Sequence, residues 1–169
     1  MLKFVPFSEH LLSGVVDVIL HIQQSEFSIP ITLNAQPDLL DIPGYYQKGK
    51  GNFWVALNGS EVVGTIALLD IGGGQGALRK MFVKEQYRGP KQGVAGRLLR
   101  VLLDWCNVND VGELYLGTTP KFLAAHRFYE KNGFAEIKQS ELPVSFPIMS
   151  VDTKFYKYVL VNAKAQQPY

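Results

Sequence analysis

The segment that most constrains the fold leads from a β-strand through a glycine-bearing basic turn into a long helix. Residues Ala77 to Val83 form a β-prone run, and the turn at residues 88–93 reads Arg-Gly-Pro-Lys-Gln-Gly. The helix predicted for Val94 to Val108 carries apolar residues at helical spacing along one broad face. A strand followed by such an amphipathic helix is typical of an α/β domain, in which the helix packs on a sheet.

The same turn has the features of a phosphate-binding site. Unpaired backbone N–H groups at a helix start, together with the positive end of the helix dipole, attract phosphate oxygens. Gly89 and Gly93 have no side chain to hold a ligand away, while Arg88, Lys91 and Arg97 add positive charge nearby. A pyrophosphate would fit here, although glycine turns with basic residues also precede helices that bind nothing.

The other segments predict an antiparallel meander before this unit and a strand–helix–strand run after it. Two β-prone runs flank Asn58-Gly59, the signal for a short-loop hairpin, and a glycine-rich tip at residues 72–76 leads to the third strand of the meander. The predicted strands are Leu2–Pro6, Phe53–Leu57, Val62–Leu69, Ala77–Val83, Glu113–Gly117, Ala135–Lys138 and Lys154–Val161. The other predicted helices are one that Ser8 caps, with apolar residues from Leu11 to Ile22, and Leu123–Asn132, which Gly133 closes.

A long connection between Ser28 and Gly51 interrupts this regular pattern. It contains the prolines Pro30, Pro37 and Pro43, and within it only Asp38 to Ile42 is suited to a short helix. Long ordered connections are often functional, so we expect this one to shape a substrate site. After Asn162 the chain is expected to fray.

Length and composition bound the class of protein. The chain has 169 residues, 47% of them hydrophobic and 19% charged, so we expect one folded domain over residues 1–162. A net charge of +2 gives no support for a nucleic-acid groove or for binding to an anionic membrane. Cys106 is the only cysteine and no long apolar run follows the N-terminus, so the sequence predicts a cytoplasmic protein without disulfides, a membrane span or a thiolate metal site.

A second motif lies downstream, where residues 124–134 read Ala-Ala-His-Arg-Phe-Tyr-Glu-Lys-Asn-Gly-Phe. A tyrosine thus lies late on a short helix that ends at a Gly-Phe pair before a strand. The two motifs together, in this order after a three-strand meander, resemble the GNAT N-acetyltransferases over residues 50–138. The resemblance implies an α/β (α+β) fold with a mixed, mostly antiparallel sheet of six to seven strands. It also implies helices on both faces and a cleft where the fourth and fifth strands splay apart.

The resemblance further implies transfer of an acetyl group from acetyl-CoA to a primary amine, on a small molecule or a peptide, without a metal. Tyr129 would be the general acid that protonates the departing thiolate. The backbone of Met81 to Val83 would pair with the pantetheine arm and polarise the thioester carbonyl, and amides of the turn would bind the pyrophosphate. Because the family often pairs through its C-terminal strands, a homodimer is a further expectation. The residues implied to bind the donor are Met81, Phe82, Val83, Arg88, Gly89, Lys91, Gln92, Gly93, Val94, Ala95, Gly96 and Arg97.

Three features depart from the family pattern. The turn is two residues longer than usual, because Pro90-Lys91 is inserted. Phe122 stands where many members have an asparagine, and Thr118 or Thr119 is the candidate to replace its polar contact. Ala77 stands where many members have a glutamate that acts as general base. The sequence identifies no general base. By elimination, a chain of water molecules is preferred as the route by which the ammonium proton leaves.

Several other residues have two interpretations. His126 is suited to relay a proton at neutral pH, but a solvent-facing histidine is the expectation. Glu26 is a candidate to bind the amine, against a solvated carboxylate at a helix end, and Cys106 is expected in the core. A group of aromatic residues either lines a substrate slot or pins the long connection to the core: Phe27, Tyr45, Tyr46 and Phe53.

Two other functions compete with acetyl transfer. A non-catalytic acyl-CoA-binding or regulatory module would keep the cleft without turnover. A transferase for a longer acyl-CoA would keep the chemistry, and the width of the cleft near Phe122 would decide between the donors. The identity of the amine is not predicted.

Overall fold

The computed structural model describes residues 1–160 as a seven-stranded sheet with helices on both faces. The strands are β1 (Leu2–Pro6), β2 (Asn52–Asn58), β3 (Glu61–Gly72), β4 (Gln75–Val83), β5 (Glu113–Thr118), β6 (Ala135–Ile137) and β7 (Lys154–Val159). The α-helices are α1 (Leu12–Leu20), α2 (Pro37–Leu40), α3 (Ile42–Tyr45), α4 (Val94–Val108) and α5 (Leu123–Lys131). Short turns of 3₁₀ or π helix cover Glu9–Leu11, His21–Glu26, Glu85–Tyr87 and Gln139–Glu141.

The strand order β1-β2-β3-β4-β5-β7-β6 leaves a gap between β4 and β5. These two strands are parallel, and they pair only from Gln75 opposite Glu113 to Ala77 opposite Tyr115. Past this point β4 follows β3 and β5 follows β7, so the two strands diverge. Backbone groups on their facing edges are therefore left without strand partners and are available to a ligand.

Two hydrophobic cores hold the helices against the two faces of the sheet. On one face α4 packs Leu98 against strand residues such as Ile66, and α5 adds Tyr129 to the same core. On the other face α1 packs Val15 against Phe53 of β2. The predicted fold class is confirmed: a mixed, mostly antiparallel sheet, helices on both faces and splayed fourth and fifth strands.

Most predicted elements are confirmed close to their expected bounds. Helix α4 begins and ends at the predicted residues, Val94 and Val108. The first hairpin turns after Asn58, and Gly59 has a φ of 62°, a left-handed conformation that glycine adopts without strain. The last predicted strand ends at Val159, while its final predicted residues and the tail expected to fray reach beyond the described residues.

Two regions differ from the prediction. Ser8 makes no capping hydrogen bond from its side chain, and the single helix predicted after it is divided into a 3₁₀ turn, α1 and the π-helical turn. The long connection forms two short helices, α2 and α3, instead of one over Asp38 to Ile42. Pro37 and Pro43 each lie in a first helical turn, where the missing N–H of proline has no cost. Asp41 caps the second helix by accepting a hydrogen bond from the Gly44 N–H.

The described residues also bear on membrane and metal binding. Within residues 1–160, no helix combines the length and the apolar character that crossing a bilayer requires. The same residues include no cluster of three or more His, Cys, Asp or Glu side chains arranged to hold a metal ion. Cys106 is fully buried in the core, as expected.

Candidate active site

The gap between β4 and β5 opens into a cavity of about 530 Å³ that reaches both faces of the sheet. Strand β4 contributes residues 78–83, and β5 with the turn after it contributes residues 116–119. Tyr129 of α5 lines the cavity on one face, and Ile22 and Phe27 line it on the face covered by α1. A molecule in this cavity would therefore touch both splayed strands and both helical layers.

The start of α4 presents a set of backbone amides on the rim of the cavity. Gly93, the residue before the helix, has a φ of 61°, donates its N–H to the Gly89 carbonyl and accepts a hydrogen bond from Arg97. The N–H groups of the first turn, Val94 to Gly96, have no helical carbonyl to bond and point outward at the positive end of the helix. A Cβ added at Gly96 would meet no atom within 4 Å, so a phosphate group has an open approach.

The arginines predicted to stand beside these amides are spread out instead of clustered. Arg88 lines the cavity, but its guanidinium forms an ion pair with Glu26. Arg97 stacks on Phe4, with 4.2 Å between the guanidinium carbon and the ring centre. The anion-binding character of this rim therefore comes mainly from backbone amides.

A β-bulge directs one edge of β4 into the gap. The pairing with β3 shifts in register around Lys80, which has a left-handed φ of 53°. The Thr65 hydroxyl holds this conformation by donating to the Lys80 carbonyl at 2.7 Å. Because alternate N–H groups of a strand point to opposite edges, some of those in Met81 to Val83 face the gap. The Val83 carbonyl is already occupied, since it accepts a hydrogen bond from Arg88 Nε at 2.8 Å.

Tyr129 lies on the α5 side of the cavity and is 5% exposed. Its ring centre is 5.4 Å from that of Phe134 and 6.0 Å from that of Tyr156. The chain turns back at Gly133, so the Phe134 N–H donates to the Tyr129 carbonyl at 3.0 Å and closes the helix. Burial, with a smaller contribution from Tyr156, raises the pKa of the Tyr129 hydroxyl well above its ordinary value. The hydroxyl therefore stays protonated at neutral pH and is available as a proton donor.

His126 is buried, so the expectation that it faces solvent is wrong. Its side chain is 6% exposed, and its Nε2 forms a hydrogen bond with the Thr119 carbonyl at 2.9 Å. Residues three apart lie on the same side of a helix, so the orientation of α5 that buries Tyr129 also buries His126. The histidine supports the turn after β5 and does not line the cavity.

Phe122 forms part of an aromatic wall of the cavity. Its ring lies edge-on to Phe27 and Phe82, with centres 4.8 and 6.2 Å apart. Thr118 and Thr119, the candidates to replace the missing asparagine, are buried and also line the cavity. The cavity is thus mainly apolar where the asparagine of other family members would add a polar group.

The cavity wall on the α1 face carries a buried ion pair. Lys80 Nζ lies 3.4 Å from the Asp38 carboxylate, and the two side chains are 7% and 5% exposed. Burial lowers the pKa of Lys80 to about 8, although the charge of Asp38 acts in the opposite direction. Asp38 also accepts a hydrogen bond from the Tyr46 hydroxyl at 2.6 Å. The long connection, which supplies Asp38 and Tyr46, therefore reaches the site through β4.

Arg79 and Asp152 also line the cavity. The Arg79 guanidinium donates to the Tyr45 hydroxyl at 3.2 Å and contacts the Met149 sulfur at 3.6 Å. Asp152 accepts the Met149 N–H at 3.0 Å and lies against Gly117 of β5, where a Cβ would come within 2.5 Å of the carboxylate. Burial raises the pKa of Asp152 above its ordinary value, and the Met149 amide and the Arg79 charge only partly offset this effect.

The profile of the acetyltransferase (GNAT) family matches residues 16–134, which is more than half of the chain and includes both splayed strands. The chain belongs to the GNAT family. The matched part of this GNAT domain runs from within α1 to the Gly-Phe pair after α5, so it contains both motifs recognised in the sequence.

Solved structures and curated proteins resemble the chain to different extents. The crystal structure of a GNAT-family acetyltransferase from Staphylococcus aureus Mu50 superposes with a TM-score of 0.91 at 37% identity, covering 95% of this chain and 100% of that one. N-acetylaspartate synthetase of Danio rerio is 36% identical over 106 residues, which are 62% of this chain and 37% of that protein. N-acetyltransferase 8F1 of Rattus norvegicus is 30% identical over 131 residues, 75% of this chain and 58% of that protein. The chain thus spans little more than a third of the synthetase.

Only part of the predicted donor-binding set of this GNAT domain lines the cavity. The predicted residues that line it, together with Tyr129, are Met81, Phe82, Val83, Arg88, Gly89 and Ala95. Outside the lining, at the start of α4, lie Lys91, Gln92, Gly93, Val94, Gly96 and Arg97, and of these only Gly93 and Val94 are shielded from solvent. The second group surrounds the free amides of α4. If these residues bind the donor as predicted, they contact the part of it that extends out of the cavity.

Sequence patterns alone do not identify the charged residues on the α1 face. Arg79 and Lys80 do carry a signal, because two adjacent basic residues interrupt an otherwise apolar strand. Asp38 and Asp152 carry none, since each lies in an irregular connection that only folding brings to β4.

The remaining expectations for side chains near the site have mixed outcomes. Glu26 fits neither of its expected roles, because it pairs with Arg88. Tyr46 and Phe53 are fully buried in the core, whereas Phe27 lines the cavity and Tyr45 holds Arg79. The aromatic set is therefore divided between packing and the site.

Proposed function

We propose that this GNAT domain transfers an acetyl group from acetyl-CoA to a primary amine by direct attack, with both substrates bound together. The observation that carries the proposal is the cavity in the β4–β5 gap, which connects the free amides of α4 with Tyr129 and with the charged wall on the other face. We name the rim formed by residues 88–96 the donor end, and the wall formed by Arg79, Lys80 and Asp152 the acceptor end.

The donor end suits the pyrophosphate of acetyl-CoA, and the neighbouring edge of β4 suits its pantetheine arm. The amides of Val94 to Gly96 are positioned to bind phosphate oxygens, and the open space at Gly96 admits them. The edge of β4 at Met81 to Val83 offers N–H groups to the pantetheine arm and the thioester carbonyl. Acetyl-CoA supplies an activated thioester, and these residues hold it with the carbonyl toward the acceptor end.

Tyr129 acts as the general acid. Its raised pKa keeps the hydroxyl protonated, so a proton is available when negative charge develops on the sulfur beside it. The apolar packing of its ring against Phe134 fixes the direction of the hydroxyl. Tyr129 thereby stabilises charge that appears only as the thioester bond breaks.

Asp152 takes the proton that the amine must lose, directly or through a water. Among the described residues that line the cavity it is the only carboxylate. Burial raises its pKa above the ordinary value of an aspartate, which makes it a stronger base than an exposed aspartate. Asp152 is thus the proposed general base, a role for which the sequence alone offered only a water chain.

A thiol-release assay tests the proposed function. The purified chain is mixed with acetyl-CoA and pools of amines, free thiol is followed over time, and acetylated products are identified by mass spectrometry. We expect amine-dependent thiol release, with little release when the amine is omitted. Binding of acetyl-CoA without release across a broad amine panel would contradict the proposal and favour a non-catalytic acyl-CoA-binding module.

A further inference from the structure

Arg79 is a cation on the cavity wall whose close partners are all uncharged. Its guanidinium contacts the Tyr45 hydroxyl at 3.2 Å and the Met149 sulfur at 3.6 Å, and it lies over the rings of Tyr45 and Tyr46 at 5.7 and 5.9 Å. Within residues 1–160, no carboxylate lies within 4.0 Å of it. A guanidinium has five N–H donors in a planar fork, so most of the Arg79 donors remain for a ligand.

The neighbouring cation, Lys80, does have a close counter-ion. Lys80 has Asp38 at 3.4 Å, and its Nζ also donates to the Gln36 side chain. The connection that carries Asp38 therefore neutralises Lys80 and leaves the charge of Arg79 without a close counter-ion. A buried or half-buried charge of this kind is costly to the fold unless binding of an anion offsets the cost.

Asp152 adds a negative group beside this cation. The two are linked through Met149, whose sulfur contacts Arg79 and whose N–H binds the Asp152 carboxylate at 3.0 Å. Both side chains line the same cavity. A cation and an anion in one cavity, more than 4.0 Å apart, are complementary to a molecule that carries a carboxylate and an ammonium a few atoms apart.

We propose that the acceptor is an amino acid, whose carboxylate is bound by the Arg79 guanidinium while its amine lies toward Asp152. The inference rests on the proposed function and names the substrate class of that site. The planar fork of Arg79 matches a carboxylate with two parallel hydrogen bonds, and Tyr45 holds the guanidinium in place from behind.

The first test needs only the wild-type chain. Thiol release from acetyl-CoA is measured with the common amino acids and with their α-carboxamides, which keep the amine and the size but lack the charge of the α-carboxylate. We expect the best free acid to exceed its carboxamide at least about tenfold in kcat/KM, the usual effect of a charge-assisted pair. Equal rates for acids and carboxamides would overturn the assignment to Arg79 and leave acetyl transfer intact. No thiol release with any amine would overturn both proposals.

A matched set of variants tests the residue. Arg79→Gln should raise the KM of the free acid at least about tenfold and leave the rate with the carboxamide within about twofold, so the preference disappears. Arg79→Lys keeps the charge without the fork and should retain part of the preference. Arg100→Gln makes the same chemical change on an arginine that is 79% exposed on α4, and it should change neither rate. An equal loss with both substrates in Arg79→Gln, in a protein with an unchanged melting temperature, would overturn the carboxylate role.

Discussion

The donor end and the acceptor end of the cavity are built in different ways. At the donor end, one continuous stretch of chain presents backbone amides, and the side chains around them are mostly exposed or paired elsewhere. At the acceptor end, Arg79 and Lys80 of β4 meet Asp38 and Asp152 from two distant connections. A site made of backbone amides tolerates changes of side chain and can be recognised from a short sequence motif. A site made of side chains from distant segments loses its function when one of them is replaced, and it forms only when the chain folds.

The largest expected effect comes from the residue that lies between the two ends. Tyr129→Phe keeps the ring and its packing but removes the acidic proton, so we expect kcat to fall about 10²- to 10⁴-fold with the Kd for acetyl-CoA nearly unchanged. Steady-state kinetics and calorimetry measure the two quantities. The matched control is Tyr158→Phe, which changes a partly buried tyrosine outside the cavity and should be neutral. An unchanged kcat in Tyr129→Phe would remove Tyr129 from the acid role.

A second prediction tests the base at the acceptor end. Asp152→Asn can still accept the Met149 N–H, so the fold should persist while kcat falls about 10²-fold. In the wild type, kcat should decrease as the pH drops through the raised pKa of Asp152, because the protonated carboxyl cannot accept the amine proton. The variant should lack this decrease. Asp104→Asn, at an exposed position of α4, is the control, and an identical pH profile for wild type and Asp152→Asn would contradict the assignment.

A third prediction concerns stability and compares a buried with an exposed ion pair. Asp38→Asn leaves Lys80 without its counter-charge, so the free energy of unfolding should fall by about 3 kcal/mol. The loss is limited because Lys80, whose pKa burial already lowers, can give up its proton and become neutral. Glu61→Gln makes the same change in the exposed pair with Lys84 and should cost about 0 to 1 kcal/mol. Denaturant unfolding at neutral pH measures both. Similar losses in the two variants would mean that the acceptor end does not depend on this buried pair.

The smallest expected effect tests the donor end. Gly96→Glu adds a helix-favouring residue and a negative charge to the first turn of α4, so the fold should gain about 0.5 to 1 kcal/mol. The same carboxylate repels a pyrophosphate, and we expect the Kd for acetyl-CoA to rise about tenfold. Gly96→Gln has nearly the same size without the charge and should weaken acetyl-CoA binding clearly less than Gly96→Glu. Equal weakening in both variants would show that shape, not charge, limits binding there.

The donor end and the sheet could be predicted from the sequence because their signals are local. The bounds of α4, the Asn58 hairpin and the closure of α5 at Gly133 each depend on neighbouring residues and on elementary backbone geometry. The position of Tyr129 in the cavity follows from the same short motif.

The acceptor end could not be predicted because its signals are long-range. Nothing near Lys80 in the sequence indicates Asp38 as its partner, and nothing near Arg88 indicates that it pairs with Glu26. The burial of His126 likewise depends on which side of α5 faces the sheet. Adjacent basic residues in an apolar strand were the one local sign of a charged pocket.

A crystal structure of the chain with acetyl-CoA tests the central claim most directly. We expect the thioester to lie between residues 81–83 of β4 and 116–118 of β5, with the pyrophosphate on the amides of Val94 to Gly96. We also expect the Tyr129 hydroxyl to lie within hydrogen-bonding distance of the sulfur, about 3.5 Å. A thioester bound outside the β4–β5 gap, or a Tyr129 hydroxyl turned away from the sulfur, would contradict the proposed mechanism.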